Sequence, residues 1–262
     1  MEIKKVICIG TSFTEGDGLN PQKDVHSAVQ WYFENKNIRV NMADYSWPNI
    51  LQKLIGIPVT NLGKSGSSIE YLMRNVEEIL EQEDCTNTLF ILEYSSWGRS
   101  ELWSSRFNQW LVANWGPRDG QDPKNDGYAV MMTTGYNFGT QLEQSEFKIY
   151  EAFLDNFFNE HEYLVQRDRH FLNLLYKLES KNINYKTLML ETPYSLELVS
   201  HPFLHENKLI DEDLWGFVKN NNLSITHETN GEVQNDHPSV SGHEYLANLF
   251  YNKLKDKYIW SL

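Results

Sequence analysis

The amino-acid sequence predicts a three-layer α/β/α sandwich built around a central parallel sheet of about five strands. Short apolar runs alternate with segments whose apolar residues recur at helical spacing, and Gly-containing polar loops follow the first two runs directly. Strands that alternate with helices favour a parallel sheet with right-handed crossovers and helices on both faces. The chain has 262 residues, which is enough for one such domain with a sizeable core.

The first half of the chain follows this alternation. The helix after the first apolar run covers residues 46–55, with Ser46 as its N-cap and Pro48 in the first turn, where a missing N–H costs little. Ser67 or Ser68 caps the next helix, in which apolar residues recur at helical spacing. The apolar runs predicted to form strands are residues 6–9, 58–62 and 88–92.

The second half departs from the alternation in two places. Residues from about 97 to 145 include the turn-rich segment RDGQDPKNDG, which indicates an insertion into the domain. A second irregular stretch covers about 195–222 and contains a short helix near 211–220. The remaining predicted elements are a long, broken or bent helical region over about 145–181, a fourth strand over 185–190, a candidate fifth strand over 223–226, and a final helix after Pro238. We therefore expect a single domain over residues 1–262.

Composition excludes several classes of protein. The 23 basic and 36 acidic side chains give a formal net charge of −13, which disfavours binding to a nucleic-acid backbone. Cys8 and Cys85 lie in or beside apolar runs, as buried thiols do, and not in a disulfide framework or a zinc site. The N-terminus lacks the pattern of a signal peptide, and no segment approaches the roughly 18 apolar residues of a membrane span. A cytoplasmic protein without a membrane partner is expected.

Three polar blocks carry the residues that could perform chemistry. GTSFTEG follows the first strand, NLGKSGSS follows the second, and DHPSVSGH precedes the last helix. Ligands bind beyond the carboxyl ends of the strands in such sheets, so we expect Ser12 and His237 to meet there. A serine needs a base to become a nucleophile, and histidine, with an unperturbed pKa of about 6.5, is the usual one. Backbone N–H groups in a Gly-containing turn can hold a developing oxyanion.

These blocks resemble those of the SGNH hydrolases, also called the GDSL esterases and lipases. GTSFTEG resembles the first block, Gly-Asp-Ser-x-x-x-Gly, with Thr11 in place of Asp and Ser12 in the position of the nucleophile. NLGKSGSS resembles the second block and puts Gly66 where a glycine N–H enters the oxyanion hole. DHPSVSGH resembles the last block and puts His237 in the position of the base. The resemblance implies a flavodoxin-like sandwich and a serine esterase without a metal or organic cofactor.

The third block departs from the family pattern. It normally contains an Asn that completes the oxyanion hole, whereas LFILEYSSWGRSE has none. We expect Ser96 or Arg99 to replace it. With Ser96 as the first choice, the hole consists of the N–H groups of Ser12 and Gly66 together with Ser96. Trp97 and Arg99 are candidate substrate contacts. Arg99 and Glu101 either pair at the mouth of the site or are solvated separately.

The acid that orients the base is also displaced. In the family it lies three residues before the histidine, where this sequence has Gln234. Asp236 immediately precedes His237 and is the first candidate, and the others are Asn235 and Glu191, at the end of the fourth strand. A Ser-His pair held by a backbone carbonyl also meets the requirement, because the third member acts by fixing the tautomer and orientation of the base.

The resemblance implies hydrolysis of a carboxylic ester, with a small acyl group such as acetate on a carbohydrate as the first substrate to test. The aromatic residues of the insertion form either a lid over this substrate or a satellite core beneath the loop. They are Trp97, Trp103, Trp110, Trp115, Tyr128 and Tyr136. Two other functions compete. One is a non-catalytic SGNH-like domain that binds a glycan or protein, which the altered third block favours. The other is a flavodoxin-like phosphate binder, which leaves DHPSVSGH without a role.

Overall fold

A parallel four-stranded sheet forms the centre of the fold. The computed structural model describes residues 1–16, 42–96, 98–104, 109–117, 128–133, 152, 156, 159–224 and 237–262. The strands are β1 (Glu2–Ile3), β2 (Lys5–Gly10), β3 (Val59–Gly63), β4 (Thr88–Tyr94), β5 (Arg99–Ser104), β6 (Gln109–Pro117), β7 (Tyr128–Thr133), β8 (Asn184–Met189) and β9 (Ile259–Trp260). The central sheet has the order β3-β2-β4-β8, and every neighbouring pair is parallel.

Helices cover both faces of this sheet. They are α1 (Ser12–Glu15), α2 (Trp47–Ile55), α3 (Ile69–Gln82), α4 (Glu160–Ser180), α5 (Leu196–Val199), α6 (Pro202–Asn207), α7 (Leu214–Asn220) and α8 (Val240–Leu254), with a 3₁₀ helix at Met42–Tyr45. One apolar cluster joins the sheet to α2, α7 and α8, and a second joins the opposite face to α3 and α4. The predicted three-layer α/β/α sandwich is confirmed.

Strand β2 shows how alternate residues supply the two clusters. Val6 and Cys8 belong to the cluster with α2 and α8, whereas Ile7 and Ile9 belong to the one with α3 and α4, as the two-residue period of a strand requires. All seven residues of β4 are buried, which explains its nearly continuous apolar sequence. Cys8 and Cys85 are both free and buried, which confirms the expectation for the thiols.

Helices α2 and α3 begin at the predicted residues. Helix α2 begins after Ser46 with Pro48 in its first turn, but the Ser46 side chain makes no capping hydrogen bond. Helix α3 begins after Ser68, whose Oγ accepts a hydrogen bond from the N–H of Tyr71 at 3.4 Å. In α8, Ser239 Oγ accepts from the N–H of Gly242 at 3.1 Å.

Within the described ranges, no helix combines the length and the apolar character needed to cross a bilayer.

Two expectations about strands need correction. The candidate fifth strand at 223–226 does not join the central sheet in its described part, where Ser224 forms an isolated antiparallel bridge with Pro238. The insertion at 97–145 is more regular than expected, because β5, β6 and β7 form an antiparallel sheet. Its Gly, Pro, Asp and Asn content indicated a loop, but the Trp- and Val-containing segments within it have the composition of strands. The predicted short helix near 211–220 is α7.

A buried histidine joins α2 to α8. His243 is fully buried, and its Nδ1 accepts a hydrogen bond from the backbone N–H of Trp47 at 3.1 Å. Because Nδ1 accepts, the ring is neutral and carries its proton on Nε2. Burial, and secondarily the charge of His237, lowers the pKa of His243 to about 3. His243 therefore contributes to packing and hydrogen bonding between the two helices.

Protonation of His243 should therefore be one cause of a lower free energy of unfolding at acid pH. Its pKa is about 3 in the folded state and about 6.5 in the unfolded chain, so its contribution is complete above pH 6.5 and is lost as the pH falls towards 3. Between these values, protonation of this residue should lower the free energy of unfolding by up to about 1.4 kcal/mol per pH unit. Urea titrations of the wild type and His243→Asn measure the difference. The expectation would be contradicted if the free energy of unfolding had the same pH dependence in the wild type and the variant between pH 6.5 and 3.

Gly242 is a second test of the α8 packing. A Cβ built at Gly242 would lie 2.3 Å from the carbonyl oxygen of Leu223. Gly242→Ala should thus destabilise the protein by about 1–3 kcal/mol through overpacking, although Ala in a helix is otherwise favoured over Gly by about 1 kcal/mol. Urea unfolding measures the change, with Asn248→Ala on the exposed side of α8 as the control. A more stable Gly242→Ala protein would refute the close approach.

Candidate active site

Ser12 lies in a tight turn at the carboxyl end of β2. The strand ends at Gly10, and Thr11 is the N-cap of α1, with its Oγ1 accepting from the N–H of Phe13 at 3.4 Å. The helix ends one turn later at Gly16, whose φ of 89° is in the left-handed region that favours glycine. Ser12 is 1% exposed. The turn thus holds the side chain at the sheet edge where ligands of parallel α/β proteins bind.

The structure brings Ser12 and His237 together. His237 Nε2 lies 2.7 Å from Ser12 Oγ, although the two residues are 225 positions apart in sequence. The ring of Phe13 lies beside the imidazole, with ring centroids 5.0 Å apart. The distance is within the range for proton transfer from a nucleophile to a base.

The start of α8 is held by hydrogen bonds to one carbonyl. Both the backbone N–H and the Oγ of Ser239 donate to the carbonyl oxygen of Leu223, at 2.8 and 3.0 Å. Pro238 lies between this anchor and His237 and forms the bridge to Ser224. These contacts restrict the backbone that carries the imidazole.

The second block is tied to the end of β2. The carbonyl oxygen of Gly10 accepts from the N–H of Lys64 at 2.9 Å and from Ser67 Oγ at 2.8 Å. Gly66 lies between these two residues with a φ of 73°, a conformation that L side chains rarely adopt. The predicted oxyanion-hole glycine therefore belongs to a loop that is hydrogen-bonded to the residue two before Ser12.

Close backbone contact also joins the second block to α1. A Cβ on Gly63 would lie 2.3 Å from the backbone nitrogen of Glu15. Asn61 Nδ2 donates to the carbonyl oxygen of Thr14 at 3.0 Å and to Ser46 Oγ at 3.1 Å, while its Oδ1 accepts from the N–H of Gly63 at 2.9 Å. The end of β3 thus packs directly against the backbone of α1 at Gly63.

Glu93 is a site residue that the sequence reasoning missed. It is the one carboxylate of β4, it is 1% exposed, and it lies beneath the turn that carries Ser12. Its Oε1 accepts from both the N–H and the hydroxyl of Thr11, and its Oε2 accepts from the hydroxyl of Thr14. The signal in the sequence was a single charged residue near the carboxyl end of an otherwise apolar strand.

In the third block, Ser96 follows the end of β4 and Arg99 begins β5. Ser96 is half-buried and directly follows the buried Ser95. Burial lowers the pKa of Arg99, and the neighbouring charges of Glu93 and Glu191 raise it. Arg99 is half-buried and places its charge near the carboxylates of Glu93 and Glu191.

Glu101 is neither paired with Arg99 nor solvated, the two alternatives that the sequence left open. Glu101 instead accepts from Arg74 on α3, with Nη2 to Oε1 at 3.0 Å, and its side chain is 1% exposed. The Tyr163 hydroxyl lies 3.1 Å from Glu70 Oε1 and 3.0 Å from the carbonyl oxygen of Arg99. The first strand of the insertion is thus attached to α3 and α4. The partner of Glu101 is an arginine that lies 27 positions away in sequence.

The remaining predicted site residues lie outside the part of the chain that the structure describes. They are Asp236, Asn235 and Trp97. The alternative acid, Glu191, follows β8 and acts electrostatically on Arg99. Among the described residues, no group of three or more His, Cys, Asp or Glu side chains could hold a metal ion.

The sequence matches no known protein family and no curated protein. Solved structures that resemble the chain include a member of the lipolytic protein G-D-S-L family from Veillonella parvula DSM 2008, which is 14% identical with a TM-score of 0.39 and 97% of this chain and 98% of that chain covered. The psychrotrophic esterase EstA from Pseudoalteromonas sp. is 11% identical, with a TM-score of 0.43 and 97% of each chain covered. An acetyl xylan esterase from the rumen bacterium Butyrivibrio proteoclasticus is 12% identical, with a TM-score of 0.42 and 98% of this chain and 65% of that chain covered. These TM-scores are too low to carry a conclusion about function.

Proposed function

We propose that this chain is a serine esterase of the SGNH superfamily, with Ser12 as nucleophile and His237 as base. The observation that carries the proposal is the 2.7 Å contact between Ser12 Oγ and His237 Nε2. The two residues come from opposite ends of the chain, and each lies in a block that resembles the family motif for its role. A turn serine without a catalytic role has no need of a histidine held at this distance.

The proposed reaction has two stages. Ser12 Oγ attacks the ester carbonyl carbon while its proton passes to His237 Nε2, and the carbonyl oxygen becomes an oxyanion. The N–H groups of Ser12 and Gly66 hold that oxyanion. When the intermediate collapses, His237 returns the proton to the leaving alcohol. Water then attacks the acyl-enzyme with the same proton transfers, which releases the acid and restores Ser12.

Asp236 is our first choice for the third member, with Asn235 and Glu191 as the alternatives. A carboxylate on the distal ring nitrogen would fix the tautomer that leaves Nε2 free to accept the serine proton. Ser96 completes the oxyanion hole in this proposal, and Trp97 and Arg99 contact the substrate. The family resemblance makes an O-acetyl group on a carbohydrate the first substrate class to test.

A non-catalytic binding domain is the second candidate. It is favoured by the third block, in which Ser95, Ser96 and Arg99 stand where the family has its oxyanion-hole Asn. Loss of one hole donor costs an esterase about 100- to 1,000-fold in rate. The retained contact between Ser12 and His237 opposes this candidate, since glycan or protein binding does not require it.

Turnover of p-nitrophenyl acetate and labelling by a fluorophosphonate distinguish the two candidates. In Ser12→Ala and His237→Ala, kcat should fall by at least about 10³-fold, because each change removes a member of the nucleophile–base pair. The label should map to Ser12 in the wild type. Ser180→Ala and His205→Ala are the controls. Both residues are exposed, and both variants should retain wild-type activity. Equal turnover in all five proteins, with Ser12 unlabelled, would exclude the esterase.

The third member is identified by a second set of variants. Asp236→Asn should lower kcat by about 10³- to 10⁴-fold, because an amide stabilises the wrong tautomer of the base. Asn235→Ala and Glu191→Gln should each change kcat by much less. The measurement is kcat for p-nitrophenyl acetate across the pH range. If Glu191→Gln has the largest effect, the acid belongs to the end of β8 and not to the last block.

A further inference from the structure

Strand register puts a buried carboxylate directly beneath the nucleophile turn. In the parallel pairing of β2 with β4, Ile9 is opposite Leu92, so that Gly10 and Glu93 are the next residues of the two strands. Glu93 is 1% exposed. Its carboxylate lies where β2 ends and the segment 11–14 begins.

The segment supplies the hydrogen bonds that this carboxylate needs. The N–H of Thr11 lies 3.2 Å from Glu93 Oε1 and the Thr11 hydroxyl donates to the same oxygen, while the Thr14 hydroxyl donates to Oε2. Thr11 and Thr14 flank Ser12 and Phe13 in sequence. One side chain therefore holds both ends of the turn that carries the nucleophile.

Gly10 brings the two strands into direct contact. A Cβ at Gly10 would lie 2.6 Å from Glu93 Cβ, from Glu93 Oε2 and from Thr14 Oγ1. Any other residue at this position would displace the carboxylate or the Thr14 hydroxyl. The absence of a side chain here is what allows Glu93 to reach the turn.

The carboxylate and the turn depend on each other energetically. Burial raises the pKa of Glu93, and the hydrogen bonds from Thr11 and Thr14 and the charge of Arg99 act in the opposite direction. A buried carboxylate without partners is strongly unfavourable. If the turn moves, the buried group loses its donors, and this cost keeps the turn in place.

We propose that Glu93 is a positioning residue that holds the segment 10–16 in the conformation that sets Ser12 Oγ against His237. It does not touch the substrate and acts only through Thr11 and Thr14. The importance for catalysis rests on the proposed esterase function, because the rate of attack depends on the placement of the nucleophile, and a misplacement of about 1 Å costs about 100-fold. The hold on the turn itself is independent of activity.

The experiment compares Glu93→Ala, Glu93→Gln and Leu92→Ala with the wild type. Leu92 is the adjacent residue on β4, fully buried in the cluster with α3 and α4, and it serves as a control for loss of core packing. We measure kcat and KM for p-nitrophenyl acetate, the rate of fluorophosphonate labelling, and deuterium exchange of the backbone amides in a peptide covering residues 10–16.

Glu93→Ala should lower kcat and the labelling rate by about 100-fold, leave KM nearly unchanged, and speed amide exchange in the 10–16 peptide. Glu93→Gln should recover most of the rate, because its amide oxygen accepts from Thr11 and the Thr14 hydroxyl can turn to accept from its amide nitrogen. Leu92→Ala should lower the melting temperature but should not change kcat or exchange in that peptide.

A second pair of variants applies if Glu93→Ala does not fold. Thr14→Val removes one donor to the carboxylate at nearly constant shape, and Thr14→Ser retains it. Thr14→Val should lower kcat by about 10-fold and speed exchange in the 10–16 peptide, whereas Thr14→Ser should resemble the wild type in both.

The outcomes separate this inference from the proposed function. If exchange in the 10–16 peptide is the same in the Glu93 or Thr14 variants as in Leu92→Ala, Glu93 does not hold the turn, whatever the activity of the wild type. If the wild type neither turns over ester nor labels, while exchange rises in Glu93→Ala, the esterase is excluded and the hold on the turn is supported. If exchange rises but kcat is unchanged, the positioning role is overturned.

Discussion

The close packing around Gly10, at the carboxyl end of β2, is the constraint on which the rest of the site depends. The carbonyl oxygen of Gly10 binds the second block through Lys64 and Ser67, while its missing side chain makes room for Glu93 of β4. Three segments distant in sequence therefore converge on one residue. The turn that follows has little freedom, and Ser12 is presented in a fixed direction towards the start of α8.

The sequence was sufficient to predict the layers of the fold and the two residues that meet across it. Alternating apolar runs and helical patterns indicate a parallel sheet, and motifs placed at strand ends indicate a common edge. Ser12 and His237 could be predicted because each lies in a local pattern. Glu93 could not, because its role depends on the register of β2 against β4 and its partners lie 79 and 82 positions away. The pairing of Glu101 with Arg74 could not be predicted for the same reason.

Two histidines, one just before helix α8 and one within it, have different environments. His237, before the helix, is half-buried and contacts Ser12, whereas His243, within it, is fully buried and accepts from the N–H of Trp47. Burial keeps His243 neutral, so that it can link α2 to α8 without adding charge beneath the site. A positive charge on His237 opposes protonation of His243.

The contact between Arg74 and Glu101 has an evolutionary consequence. Together with the Tyr163 hydroxyl on the Arg99 carbonyl, it attaches the first strand of the insertion to the helices of the sandwich. This strand is consequently the fixed root of the insertion. Sequence changes that keep the root and its partners can accumulate elsewhere in the insertion without disturbing the edge of the sheet that carries Ser12.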